Sequence, residues 1–220
     1  MTRTHDAAPL LPKMPTLTDA ELAQTDPRFL DALRNLNRIG AAINRLTPRG
    51  QPSVDATLHL IADSVIQVVP GAAAVIYTYD AESQAFDAAS RVSAGEPEAA
   101  TTYDLPRPDG IGMRAMQRQQ RVLSYEVCDV ELSPAALDAG VRSMACFPLI
   151  VANDPVGALY VYLQRSQRFE QFELLMLDNL VNHAAMAIYQ AHRLSHIRQD
   201  LLRSEDALDR LRHAGMLISS

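Results

Sequence analysis

At 220 residues, 48% of them apolar, and with a net charge of −6, the chain suits one domain of ordinary size with helical extensions. No apolar tract reaches the length of a membrane span. Lys and Arg form no basic stripe and Trp is absent, so neither a membrane nor a nucleic-acid partner is expected.

Asp6, Pro9, Pro12 and Pro15 fall where a signal peptide needs an unbroken apolar run. The only cysteines, Cys128 and Cys146, suit a reducing compartment, and a cytoplasmic location is expected. Residues 1–24 read as a disordered leader, with a short helical turn after Thr18. A helix starts at Asp26-Pro27, cap and first residue, and stops before Pro48. It carries Phe29, Leu36 and Ile43 seven residues apart, a spacing that serves a partner helix as well as its own domain. Thr47 to Pro52 is a linker. Ser53 then caps a helix with Val54, Leu58, Ile61, Val65 and Val68 on one face, ending at Pro70-Gly71.

Ala73 to Tyr79 is apolar and β-branched and reads as a strand, with Ala85 to Val92 as its hairpin partner. Glu96 to Gly110 is loop-like. Ile111 to Gln120 reads as a short helix, Arg121 to Tyr125 as a short strand, and Ser133-Pro134 opens a second short helix reaching Ala139. Two strong strands, Val141 to Ile150 and Val156 to Leu163, flank the turn residues Ala152 to Pro155. Hairpin-length links predict an antiparallel sheet and an α+β fold. The best strands are apolar on both alternating faces, so the sheet must be covered on both. Long helices cover one side. Segments between Glu96 and Ala139 cover the other, where loops over a sheet commonly enclose a pocket.

The final helix runs from about Gln171 to the chain end. Phe172, Leu175, Leu177, Leu180, Ala184, Ala187 and Ile188 form a stripe that lies on the domain. From Leu194 the steps alternate three and four through Ile197, Leu201, Ser204, Leu208, Leu211, Gly215 and Ile218, the period of a coiled-coil seam. The division is therefore a leader (1–24), a domain with its N-terminal helix (25–193) and a coiled-coil signalling helix (194–220). With Leu194 at position a, a parallel dimer would set Arg193 against Arg198 and Asp200 against Glu205, like charges in both cases. The tail alone is a weak dimer, and the helix from Pro27 is expected to share that work.

Three stretches carry a family resemblance: Asp109-Gly110-Ile111, Gly140 to Leu149 with its Arg142-Ser143…Pro148-Leu149 pattern, and Val156-Gly157-Ala158-Leu159. With the Phe169 to Ile188 helix, they resemble a GAF domain, the small-molecule-sensing relative of the PAS fold. The resemblance runs from about Leu36 to Leu194. It departs from the family at Met113, which holds the usual next glycine position, with Gly112 one residue early. It implies an antiparallel sheet flanked by helices and a ligand pocket. The tail resembles the first helix of a second GAF domain or a linker in sensor kinases, which implies an output module beyond Ser220 in the same polypeptide.

Candidate pocket residues are Tyr77, Met113, Arg114, Cys128, Met144, Cys146 and Tyr160. Tyr77 and Tyr160 sit on neighbouring strands with aromatic bodies and polar tips. Arg114 follows the glycine turn and is the cation best placed to meet an anion. Cys128 lies in a loop that borders the pocket and is a candidate redox thiol. Met144 and Cys146 share one strand face, Ala145 and Phe147 the other, and parity leaves open which pair faces a ligand. Bilin attachment in this family uses a Cys followed by His, whereas Asp129 and Phe147 follow these cysteines. The family's sulfoxide reductases need several pocket cysteines, and Gly112 occupies the place of one, so no enzyme is expected. His192, His196 and Asp200 share a helix face, but a solvated stripe is the simpler account than a metal site. Glu96–Ala139 holds no histidine for haem. No cofactor follows from these residues.

The expected function is a sensory domain, binding a small molecule or sensing redox state. It relays this through a dimeric C-terminal helix, with a seam of Phe29, Leu36, Ile43, Leu194, Ile197, Leu201, Leu208 and Leu211, to an output such as a histidine kinase. The alternative is a ligand-free dimerisation and spacer module.

Overall fold

Short apolar strands joined by tight turns pair most directly with their chain neighbours, in antiparallel fashion. The structure, a computed structural model, describes residues 27–44, 54–95, 106–125, 134–166 and 168–218. Helices α1 (Pro27–Asn44) and α2 (Val54–Val68) precede strands β1 (Ala72–Asp80), β2 (Ala85–Phe86) and β3 (Val92–Ala94). Next come α3 (Ile111–Arg118), β4 (Val122–Ser124) and α4 (Pro134–Asp138). The last three are β5 (Ser143–Val151), β6 (Asp154–Leu163) and α5 (Gln171–Ile218). The six strands form one sheet in the order β2-β1-β6-β5-β4, with β3 also on β1, and every pairing is antiparallel. The architecture is α+β, an antiparallel sheet flanked by helices and followed by one long C-terminal helix. No helix among the described residues is long and apolar enough to cross a membrane.

The turn between β5 and β6 is tighter than its composition suggested. Ala152 and Asn153 alone make it, at φ 51° and 71°, as a hairpin between right-twisted strands requires. Asp154 and Pro155 therefore belong to β6. A second difference lies in Ala85–Val92, which is not one strand but β2, a 3₁₀ turn over Ala88–Ser90, and then β3. The Asp87 carboxylate accepts from the Ala89 amide at 2.9 Å. The Ser90 hydroxyl donates to the Asp87 carbonyl at 2.7 Å and accepts from the Thr78 amide at 2.9 Å. These short polar side chains satisfy the backbone locally and interrupt the ladder.

One sheet face presents Ala74, Ile76, Ala145, Phe147, Leu159 and Val161 to α1, α2 and α5, and all of these side chains are buried. Gly157 makes this close packing achievable. A Cβ there would lie 2.5 Å from the Tyr77 carbonyl oxygen, 3.0 Å from Leu149 Cδ1 and 3.3 Å from Ile188 Cδ1. Its bare Cα lets β1, the β5–β6 hairpin and α5 meet at one point.

Two seam and stripe expectations change. Ile43 is buried in this core and Leu36 packs against it, so their spacing serves the domain itself, and Ile43 is not free for a partner. Leu175 is 57% exposed and lies off the buried stripe of α5. The Phe29, Leu208 and Leu211 side chains, the leader and Cys128 lie outside the described residues. Beyond the domain, Ile197 is 45% and Leu201 58% exposed, while Leu194 is half-buried. An Arg121–Asp178 ion pair ties the start of β4 to α5.

Two outcomes are expected. Gly157→Ala should lower unfolding free energy in urea by about 3 kcal/mol, the upper range for overpacking, because the nearest obstacle, the Tyr77 carbonyl oxygen, is backbone. His183 lies on α5 near Gly40 of α1, and burial holds its pKa below the ordinary histidine value. Its neutral form is the one the fold accommodates. The corresponding stability is present above about pH 6.5 and is lost as pH falls through the depressed pKa. His183→Gln should flatten this part of the stability–pH curve.

Candidate functional site

The opposite face of the same strands carries different chemistry. Tyr77 of β1, Tyr160 and Tyr162 of β6, and Met144 and Cys146 of β5 are buried there with Ile111 and Ala115 of α3 and Ala136 of α4. This settles the parity left open by the sequence: Met144 and Cys146 lie with the tyrosines, and Ala145 and Phe147 face the long helices. The register sets Cys146 opposite Tyr160, Tyr160 opposite Val75, and Ala158 opposite Tyr77.

The rings form a continuous wall. Tyr160 stacks on Tyr162 with centroids 6.0 Å apart, and meets Tyr77 edge-on at 6.1 Å. Phe86 of β2 meets Tyr77 at 6.4 Å. Tyr160 reaches across to α3, where a Cβ on Gly112 would lie 1.8 Å from the Tyr160 hydroxyl oxygen and 3.4 Å from Phe86 Cζ. Gly112 is therefore the α3 residue fitted to the aromatic wall. The α3 residues buried against the domain are Ile111, Gly112, Ala115 and Met116, while Met113 and Arg114 are only half-buried. The displaced glycine was legible in the sequence, but its contact with Tyr160 was not.

Burial pushes the Cys146 thiol well above the usual cysteine range, with the neighbouring Tyr160 a smaller opposing influence. A thiol held protonated is a poor nucleophile and redox sensor. Burial likewise raises the Tyr160 phenol, reinforced by Cys146, Tyr162 and Tyr77, so its hydroxyl stays a neutral donor. That hydroxyl is buried and makes no hydrogen bond of normal geometry; the Cys146 thiol beside it is at most a weak partner. One further residue, at the entry to β3, has the same property. Arg91, just before β3, has its Nε and Nη2 buried without a hydrogen-bond partner. The sequence reading passed over Arg91 in favour of Arg114. Its signal was alternation: Val92 faces the long helices, so an extended Arg91 belongs to the other face.

The GAF-domain family model matches residues 51–188. The chain belongs to the GAF-domain family. No curated protein matches it. Among solved structures, it is similar to the GAF domain of a phosphoenolpyruvate-protein phosphotransferase from Acinetobacter, at 20% identity and a TM-score of 0.59, covering 77% of this chain and 97% of that one. A free methionine-R-sulfoxide reductase from Neisseria meningitidis shares 16% identity with a TM-score of 0.60, over 77% of this chain and 94% of that one. A domain of a two-component sensor histidine kinase protein from Sinorhizobium meliloti shares 17% identity with a TM-score of 0.53, over 68% and 99%. At these identities the likeness is one of fold.

The GAF domain has a cleft of about 610 Å³ where α5 leaves the sheet, lined by Asp80, Glu82, Asp87, Asp154, His192 and His196 among others. Ser83 and the Glu82 amide hold the Asp80 carboxyl below its usual range. Burial, then His196, lowers the His192 pKa, and Asp80 opposes them. Among the described residues no group of three potential ligands is arranged to hold a metal.

The aromatic wall makes two expectations. Gly112→Ala should destabilise the GAF domain, and Tyr160→Phe should relieve part of that loss, giving a double-mutant coupling of about 1 kcal/mol. In a Cys128→Ser background, Cys146 should resist thiol-reactive dye at pH 8 until denaturant is added.

Proposed function

We propose that this GAF domain senses a small molecule on the sheet face beneath α3 and α4. It works as a homodimer and relays occupancy through α5 to an output module of the same polypeptide, such as a histidine kinase. The observation that carries this reading is the two-sidedness of β6. Tyr160 faces the aromatic wall, whereas its neighbours Leu159 and Val161 pack in the core that holds α5. A ligand that moves Tyr160 therefore acts on the strand that supports the helix. The mechanism is a population shift: a ligand that favours one wall geometry favours one seating of α5.

The dimer contact is assigned to the exposed face of α5 with Leu194, Ile197 and Leu201, continued by Leu208 and Leu211. Candidate ligand residues are Tyr77, Tyr160, Met144 and Cys146, with Met113 and Arg114 at the border. Cys128 remains the candidate for a redox input. Catalysis is not part of the proposal, since the thiol of Cys146 is buried and held protonated.

A second reading has one observation in its favour. The Tyr160 ring extends to the Cα of Gly112, so side chains themselves occupy this part of the face, as a ligand-free dimerisation and spacer module would require. Native mass spectrometry of freshly purified protein, with thermal-shift screening of a metabolite library, separates the two. A co-purifying molecule or a raised melting temperature supports the sensor, and silence in both supports the spacer. Leu201→Asp should weaken self-association at least tenfold by sedimentation equilibrium, while leaving domain stability within about 0.5 kcal/mol, as for exposed substitutions.

A further inference from the structure

Two buried donor groups on one side of the sheet lack acceptors. Buried polar atoms are nearly always hydrogen-bonded, and each exception calls for an explanation. The Tyr160 hydroxyl is the first and the guanidinium edge of Arg91 the second. The backbone of Arg91 is extended, at φ −60° and ψ 120°, and it leads directly into β3, where Val92 pairs with Ile76 of β1 and faces the long helices. Continuing that register by one residue places Arg91 opposite Tyr77, on the face of the aromatic wall. Tyr77 in turn contacts the Tyr160 ring. Arg91 at the entry to β3, Tyr77 of β1 and Tyr160 of β6 thus follow one another across the sheet.

The unpartnered atoms of Arg91 are Nε and Nη2, the adjacent parallel N–H groups that grip a carboxylate side-on. Arg91 offers only donors and the Tyr160 hydroxyl can donate as well, so the partner that serves both is an acceptor. Resting on the reading of this face as a ligand site, we propose that Arg91 and Tyr160 bind the carboxylate of a small organic acid whose apolar body lies against Tyr77 and Tyr160. The charge fits a monoanion. One guanidinium neutralises one carboxylate, whereas a phosphate dianion would leave a buried excess charge among apolar walls. The aromatic lining suits a flat apolar body.

Isothermal titration and thermal shift of the full chain test this, with benzoate, benzamide and phenyl phosphate as probes. Benzoate should bind and raise the melting temperature, benzamide should not, and phenyl phosphate should bind more weakly. Arg91→Met should cost about 10- to 100-fold in benzoate affinity, the range for a hydrogen bond to a charged group. Arg91→Lys, which keeps the charge and loses the fork, should lose at least tenfold, and Tyr160→Phe a smaller factor. Without ligand, Arg91→Met should melt higher than the parent, because it removes two buried N–H groups that have no acceptor. Equal binding of benzoate and benzamide, insensitive to Arg91→Met, overturns the anion fork and leaves the sensor reading standing. No binding of benzoate, or a ligand-free Arg91→Met that melts lower than the parent, also overturns the fork. The sensor reading is then judged separately by the metabolite library and native mass spectrometry.

Discussion

The fold depends on β6 being buried on both sides. It pairs along its length with β1 and β5, so neither of its backbone edges is free, and both sets of its side chains must find apolar cover. On one side that cover is α2, α5 and part of α1. On the other it is α3 and α4, short helices whose small residues, Gly112, Ala115 and Ala136, come close to the sheet. The strand can accept this only because residue 157 has no side chain. With Tyr77's carbonyl oxygen and the Leu149 and Ile188 methyl groups converging there, glycine at this point fixes how closely sheet and α5 approach.

The two layers differ in chemistry as well as position. The layer under the long helices is dominated by branched aliphatics and closes without unpaired polar side chains other than Thr57 among the described residues. The layer beneath α3 gathers three tyrosines, a thiol and Met144, and the Tyr160 hydroxyl in this layer has no hydrogen-bond partner. Aliphatic packing gives rigidity, and an aromatic wall with free donors gives recognition. In the proposed function, sensing and transmission fall on opposite faces of shared strands, and alternate residues of β6 pack with one face or the other.

Much of this was legible in the sequence. Apolar runs of strand length, Pro27 at a helix start and the Gly157-Ala158-Leu159 stretch each act through local geometry, and local geometry is what single-sequence patterns record. What was not legible depended on third partners. Residues 85–92 alternate well enough for a strand, but Asp87 and Ser90 bond to their own backbone and to Thr78 instead. Ile43 keeps a seven-residue spacing that fits a dimer seam equally well, and only the arrangement of α2 and α5 turns it inward. Strand parity could not orient Met144 and Cys146, because both faces are apolar. Arg91 was missed because an arginine at a strand's start reads as solvated until its neighbours are known.

The helix α5 is 48 residues long and unbroken from Gln171 to Ile218. Among its described side chains the last fully buried one is Ile188, 1% exposed, and at 1.5 Å per residue about 45 Å of helix extends beyond that anchor. A straight rod held at one end is a lever. A tilt of about 5° at Ile188 would carry the far end about 4 Å, between two and three times the rise of one residue along a helix. The small side-chain displacements that a close-packed interior tolerates are therefore geometrically magnified before they reach whatever α5 touches.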